Sequence, residues 1–380
     1  MEAVIMKETM SATDIRKSNR SQIYRFIYEN ISTSRPAIAQ ALQLSRPTVA
    51  QNLSDFLEEG LVIKEGNLES TGGRKAEAYH CNPRIRLAVG ADIWEDNVDF
   101  VILDLFGETV ASCSLPLAYS NSDAYKKQFA DNIKAFVADN GFLPDLILGV
   151  GISLQGVVSA DGERVIYGDA MNTQNLTRSA FSRFLPWPCY LLHNVDAAAV
   201  AEIWNRKNLK EAVYLSLSPH FGGTLIFNGM PHRTNTEMAS AIEHMCLIPD
   251  GLPCYCGKRG CVNTYCSANS LRASIDAEFP VFFERLRQGQ IKEQNIWKGY
   301  LRKLALAIDN IRMVCGCEII IGGYLNCFIM EDDIRLLEDY VREQSAFQVD
   351  YSFISRGLCG KNSAAKGGAL KYISEYLETI

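Results

Sequence analysis

The chain has no run of about 18 consecutive apolar residues, the length a helix needs to cross a bilayer, so no membrane span is expected. Its first segment, Met1 to Arg20, is polar and mixed in charge, without the basic start and apolar core of a secretory leader. A basic excess is missing too. The net charge is −6, which excludes a protein that is basic overall and confines any nucleic-acid contact to a local patch. Without a leader the expected compartment is the cytoplasm, where the 12 cysteines stay reduced and metal binding is favoured over disulfides. With 47% hydrophobic and 22% charged residues over 380 positions, the chain is an ordinary soluble protein with room for two or three domains.

The most specific stretch runs from His244 to Cys261, H-M-C-L-I-P-D-G-L-P-C-Y-C-G-K-R-G-C. Cys254, Cys256 and Cys261 form a C-x-C-G-x-x-G-C loop in which Gly257 and Gly260 let the backbone turn three sulfurs toward one point. Three thiolates and the His244 imidazole match a closed tetrahedral zinc site, which braces structure and leaves no position for an activated water. Cys246 is the rival to His244 as fourth ligand.

Three short helical patterns follow one another near the N-terminus. Ile23, Phe26 and Ile27 mark the first, Ile38, Ala39 and Leu42 the second, and Val49, Leu53 and Leu57 the third. Ser45 reads as an N-cap with Pro47 in the first turn, so the second and third helices are joined as in a helix-turn-helix. If Val49, Leu53 and Leu57 face inward, Arg46, Thr48, Gln51 and Asn52 face out, where they can reach base edges or phosphates in a major groove. Behind them, Leu61-Val62-Ile63, a polar turn at Glu65-Gly66-Asn67, and Ala78-Tyr79 read as a hairpin that makes the module winged. Its interior holds Gly72-Gly73-Arg74-Lys75, so Arg74 and Lys75 can lie close to a phosphate or a narrow minor groove. Residues 1–80 carry ten basic and ten acidic side chains, so modest DNA affinity, raised by dimerisation, is the expectation.

After Asn82-Pro83 the pattern becomes α/β: apolar strands separated by amphipathic helices. Ala88–Ile93, Val98–Leu105 and Thr109–Leu115 precede a helix with Phe129, Ile133, Phe136 and Val137 on one face and a buried strand Leu146–Ile152. A second set, Val213–Leu217, Gly222–Phe227 with an Asn228-Gly229 turn, and Glu318–Ile321, repeats that layout. Leu301, Leu304, Ile308 and Ile311 form a core stripe on a long helix, and Gly367-Gly368 lets a closing helix pack closely. Two lobes with a cleft between them are expected, with boundaries 1–82, 83–198 and 199–359, and with residues 360–380 packing back on the first lobe.

A winged helix-turn-helix before two α/β lobes, with Gly73-Arg74-Lys75, Phe221-Gly222-Gly223, Asn228-Gly229 and His244 ahead of the cysteine loop, resembles the ROK family of repressors and sugar kinases. The resemblance implies a two-lobed actin-like (ribonuclease H-like) ATPase-type fold and a homo-oligomer, a dimer or a dimer of dimers. In the family's kinases the catalytic base is an Asp eight residues before a Glu in an alanine-rich stretch. Counting eight back from Glu202 lands on Asn194, and an amide cannot take a proton as a carboxylate can. The phosphate loop corresponds to Asp92-Ile93-Trp94-Glu95-Asp96, whose bulk and charge oppose a nucleotide, and the Gly-Thr-Gly segment corresponds to Ser218-Pro219-His220. The two glutamates that hold sugar in the family correspond to Ala241 and Asn263. Either the cleft takes a different ligand with Asn172, Asn194, His244 and Asn263, or it has lost small-molecule binding.

The expectation is a non-enzymatic DNA-binding regulator, a repressor of carbohydrate uptake or catabolism genes. It would hold structural Zn2+, a double-stranded operator and a sugar or sugar-phosphate effector. The alternative is a ROK sugar kinase carrying a DNA-binding head, and Asn194 separates the two.

Overall fold

The computed structural model describes residues 11–67, 76–233, 241–347 and 349–380. Arg74 and Lys75 lie outside them. The chain forms two compact units: Met1–Leu87 with Asp104–Phe106 and Ser374–Ile380, and Ala88–Leu103 with Gly107–Ile373.

The first unit holds helices α1 (Ala12–Asn30), α2 (Arg35–Ala41) and α3 (Arg46–Glu58) and a hairpin of β1 (Val62–Asn67) and β2 (Glu77–Cys81). Each helix starts where a serine satisfies free amide groups. Ser34 and Ser45 cap α2 and α3. Ser11 and Asp14 make a reciprocal capping box, which starts α1 well before the apolar pattern begins. Ile23, Ile27, Ile38, Val49, Leu53 and Phe56 meet Val62 and Tyr79 in one core.

Two expectations change here. Phe56 is fully buried and Leu57 is 37% exposed, the reverse of the spacing of four read from the sequence. At 100° per residue, position 56 falls about 20° from Val49 and position 57 about 80° from it, so the helix turns Phe56 inward. The Glu65-Gly66-Asn67 segment is not a turn. It stays in β1, where the register slips between Lys64 and Asn67 and Gly66 takes φ 74°, as a bulge requires.

The second unit contains β3 (Leu87–Ile93, whose first residue belongs to the other unit), β4 (Asn97–Leu103), β5 (Thr109–Pro116), α4 (Asp123–Asp139), β6 (Ile147–Leu154), a small hairpin of β7 (Val157–Val158) and β8 (Val165–Tyr167), α5 (Arg178–Ser182), β9 (Cys189–His193) and α6 (Asn194–Asn205). There follow β10 (Ala212–Leu217), β11 (Phe221–Phe227), β12 (Met230–Pro231), α7 (Asn263–Cys266), α8 (Ala268–Arg272), α9 (Phe279–Arg287), α10 (Ile291–Cys315), β13 (Glu318–Gly322), α11 (Glu331–Gln344), β14 (Ile354–Arg356) and α12 (Ser363–Thr379). The two sheets repeat one plan. Their orders are β5-β4-β3-β6-β9 and β12-β11-β10-β13-β14, each with antiparallel outer strands and a parallel pair at the other edge.

The expected boundary at residue 198 falls inside α6, which is tied to both halves. Val195 fills the space beside Gly222 in β11, and the buried Glu202 accepts amide hydrogens from Leu358 and Cys359. Helix α12 lies against β3, β6 and α6 at near-backbone distance. A Cβ on Gly367 would come within 1.6 Å of the Ala197 carbonyl oxygen, one on Gly90 within 1.7 Å of that of Ala365, and one on Gly151 within 2.3 Å of that of Gly368. The stripe Leu301, Leu304, Ile308 and Ile311 of α10 is buried in the core of the second sheet. No helix among the described residues is long and apolar enough to cross a membrane.

Phe56→Ala is expected to destabilise the first unit by about 3–5 kcal/mol and Leu57→Ala by less than about 1 kcal/mol. Denaturant unfolding followed by a probe in that unit separates the two; equal effects would contradict the assigned helix face.

Candidate metal centre and cleft

A short helical turn, Ile242–His244, presents His244 to the cysteine loop. His244 Nδ1 lies 3.7 Å from Cys254 Sγ, and Cys256 Sγ lies 3.7 Å from Cys261 Sγ. The four candidate ligand atoms fall within 4.8 Å of one another. A tetrahedral ion with metal–sulfur bonds of about 2.3 Å needs sulfur–sulfur edges of about 3.8 Å, so one cation fits the cluster. Burial holds the His244 imidazole below its ordinary pKa, hence neutral, the form that binds metal. Cys246 bridges Cys261 through the backbone but is exposed and stands outside the cluster.

The loop is built by backbone geometry. Cys254 N–H donates to the Lys258 carbonyl, Gly257 N–H to that of Cys254, and Leu247 N–H to that of Gly260. Gly260 takes φ 78°, and a Cβ there would lie 1.8 Å from the Ile248 carbonyl oxygen. Beyond the last cysteine, buried Asn263 accepts the Phe221 amide hydrogen at 2.8 Å, which ties α7 to the start of β11.

Beside this loop lies a cleft with two adjoining cavities, of about 40 and about 250 Å³. Trp94, Asn194, Ser216 and Ser218 line both. Glu243, Asp169, Gln155 and Tyr255 line the smaller, whereas Asp92, Asp99, Tyr324 and Lys361 line the larger. Asn194 opens α6 and so stands at the junction. Asp196 lines neither cavity; its carboxylate lies 3.5 Å from the Arg233 guanidinium and 4.0 Å from His193 Nδ1. Asp92 and Asp99 face each other across β3 and β4, and burial together with the Asp99 charge pushes the Asp92 carboxyl well above its usual range. The turn Ser218-Pro219-His220 spends its carbonyls on α8, accepting the amide hydrogens of Ala268 and Asn269. Gly322 and Gly323 abut Tyr214 and Leu217, so close packing explains that pair.

Of the four ligand-binding candidates read from the sequence, Asn194 lines the cleft. Asn172 ends a turn in the left-handed conformation, Asn263 is engaged with β11, and His244 sits in the metal cluster; none of these three is in the lining. The side chain that sequence reasoning passed over is Glu243. Burial raises its carboxyl to about 7, and Oε2 has no hydrogen-bond partner among the described residues. Its one signal in the sequence was adjacency to His244.

On α3, Arg46 and Gln51 are exposed and Thr48 and Asn52 half-buried on the outer face. Thr48 Oγ1 lies 2.8 Å from Ser45 Oγ, Gln51 Nε2 donates to Asp55, and Asn52 Nδ2 donates to the Thr48 carbonyl.

The model described as the ROK family matches residues 88–357. The xylose repressor of Bacillus spizizenii is 22% identical over 382 residues, 97% of this chain and 98% of that protein. The DNA-binding transcriptional dual regulator NagC of Escherichia coli is 23% identical over 66% of this chain and 62% of its own. Among solved structures, a ROK family transcriptional regulator described as a homolog of E. coli MLC superposes with a TM-score of 0.73 at 17% identity, over 96% of this chain and 97% of that one. A ROK family glucokinase from Streptomyces griseus, in complex with glucose and AMPPNP, gives 0.63 at 18% identity, over 75% and 98%. The fold is accordingly the two-lobed actin-like one.

Gly260→Ala is expected to abolish metal binding although all four ligands remain, because the new Cβ collides with backbone. Gly257→Ala, with nothing within 4 Å of its Cβ, pays only for its φ of 83°, about 1 kcal/mol, and keeps the metal. Metal content per chain, measured by elemental analysis, distinguishes them.

Proposed function

The chain belongs to the ROK family, and on that premise we propose that it is a DNA-binding transcriptional regulator, a repressor of carbohydrate uptake or catabolism genes, whose kinase-like part no longer transfers phosphate. The reading is carried by one pairing: a head of three helices and a hairpin precedes a cleft lined by Asn194, the residue that the family resemblance aligns with the kinases' base. An amide at that point can donate and accept hydrogen bonds to a bound hydroxyl but cannot remove its proton. Asp196, the nearest carboxylate on the helix, is turned toward Arg233. In the lining of the larger cavity Lys361, at an exposed edge, is the one cation among the described residues, which leaves the cavity short of the positive charge that a polyphosphate needs.

The head is a winged helix-turn-helix in this reading. Arg46, Thr48, Gln51 and Asn52 address the major groove, and Arg74 with Lys75 the backbone or minor groove. The unit is not basic overall, so a homodimer addressing two half-sites supplies the affinity. A sugar-class effector in the cleft, contacted by Asn194, biases the spacing of the two heads. His244, Cys254, Cys256 and Cys261 hold a structural Zn2+ that fixes the loop and, through Asn263, the end of β11. With four protein ligands such an ion would have no open position, so its role would be structural. The protein acts in the cytoplasm, beside the DNA.

Arg46→Ala is expected to weaken operator binding by about 1–3 kcal/mol with an unchanged melting temperature; undiminished affinity in salt-controlled shift assays would sink the assignment. Cys254→Ser and Cys256→Ser should each lose zinc and lower the melting temperature, with DNA binding weakened indirectly. No ATP turnover is expected with hexoses, pentoses or amino sugars, and turnover abolished by changes at Asn194 would make the protein a kinase instead.

A further inference from the structure

Resting on the reading of the cleft as an effector site, its lining narrows the chemical class of the ligand. Among the described residues, the smaller cavity presents two carboxylates, Glu243 and Asp169, and neither lysine nor arginine. Its two imidazoles, His193 and His220, are driven below their ordinary pKa chiefly by burial and add no positive charge near neutrality. Arg233 is outside the lining and already faces Asp196. The adjoining cavity has Lys361 at an exposed edge, while its buried wall carries Asp92 and Asp99.

Glu243 is the group that calls for a partner. Its side chain is 13% exposed, Oε2 itself is buried and without a hydrogen bond among the described residues, and the residue belongs to the cavity wall. A buried acceptor left unmade is costly, and a ligand hydroxyl is the group that satisfies it. Asn263 is engaged with the Phe221 amide, so beside the metal loop Glu243 is the carboxyl group that the cavity wall offers.

We infer that the cleft admits an uncharged polyhydroxy ligand of sugar class and rejects its phosphate ester, with Glu243 accepting a ligand hydroxyl. A phosphate monoester brings a charge of about −1.5 to −2 at neutral pH. In a cavity whose described lining holds neither lysine nor arginine, that charge meets no donor cation, a discrimination built from what the site lacks. The two cavities share Trp94, Asn194, Ser216 and Ser218 in their walls, so a ligand at Glu243 extends from the smaller cavity toward the larger.

The test is calorimetric titration of the full-length zinc-loaded protein with D-xylose, D-glucose, N-acetyl-D-glucosamine, glucose 6-phosphate and N-acetylglucosamine 6-phosphate. At least one free sugar is expected to bind, with its 6-phosphate, for either hexose, at least tenfold weaker. Glu243→Gln should weaken the free sugar by roughly tenfold to a hundredfold and narrow the gap between sugar and ester, at unchanged zinc content and melting temperature. Should that variant lose zinc or fail to fold, Asp169→Asn, remote from the metal ligands in sequence, must narrow the same gap. An ester that binds as tightly as its parent sugar, or a gap untouched by these variants, overturns the inference alone. Absence of binding by every compound overturns the effector reading and the inference with it.

Discussion

Convergence of one imidazole and three thiols on a space 4.8 Å across is the constraint on which the cleft side of this protein depends. In the loop from Leu247 to Val262 the side chains of Ile248, Leu252 and Tyr255 are exposed, and the path follows glycines in the left-handed region and backbone hydrogen bonds across the cluster. A cation at the centre would turn that geometry into a rigid body. The residues on either side inherit its position. Glu243 enters the cleft because His244, the next residue, faces the cysteines. Asn263, two residues past Cys261, reaches the Phe221 amide because α7 starts where the loop ends.

The second organising device is close packing through absent side chains. Helix α12 approaches β3, β6 and α6 so nearly that Gly90, Gly151 and Gly367 have no room for a methyl group. Together with Glu202, whose carboxylate reaches the amides of Leu358 and Cys359, these contacts join two repeated sheets into one unit. Helix α6 runs through the middle of that arrangement, and its first residue, Asn194, is delivered to the junction of the two cavities. In the proposed reading, that junction holds an amide where phosphate transfer needs a carboxylate. An amide there can donate and accept hydrogen bonds but cannot remove a proton.

Much of the local structure was legible in residue order. Ser45 and Pro47 marked the start of α3, the repeated strand pattern marked the two lobes, and the apolar stripe from Leu301 to Ile311 marked the buried side of α10. Where reading failed, the cause was geometric. A spacing of four placed Leu57 inside, but the helical period turns Phe56 to the core. A Glu-Gly-Asn run looked like a turn, but it is also what a bulged strand accepts when glycine takes the positive φ. Asn172 and Asn263 have the hydrogen-bonding groups a ligand needs, and neither lines the cleft.

The order of residues by itself marked Cys254, Cys256 and Cys261 as one candidate ligand loop and left His244 and Cys246 as rivals for the fourth place, since cysteine spacing and glycine placement are covalent facts that survive any packing of the surroundings. It also put an amide, Asn194, at the start of α6, a group that no folding turns into a proton acceptor. Only the tertiary structure decided which fourth ligand closes the cluster, that α6 binds both sheets, and that Glu243 faces the cavity with an unmade hydrogen bond. Those depend on distances between segments far apart in the chain. Periodicity and motif spacing report only on neighbours in sequence, whereas enclosure, which gives a carboxylate its demand for a partner, arises from everything packed around it.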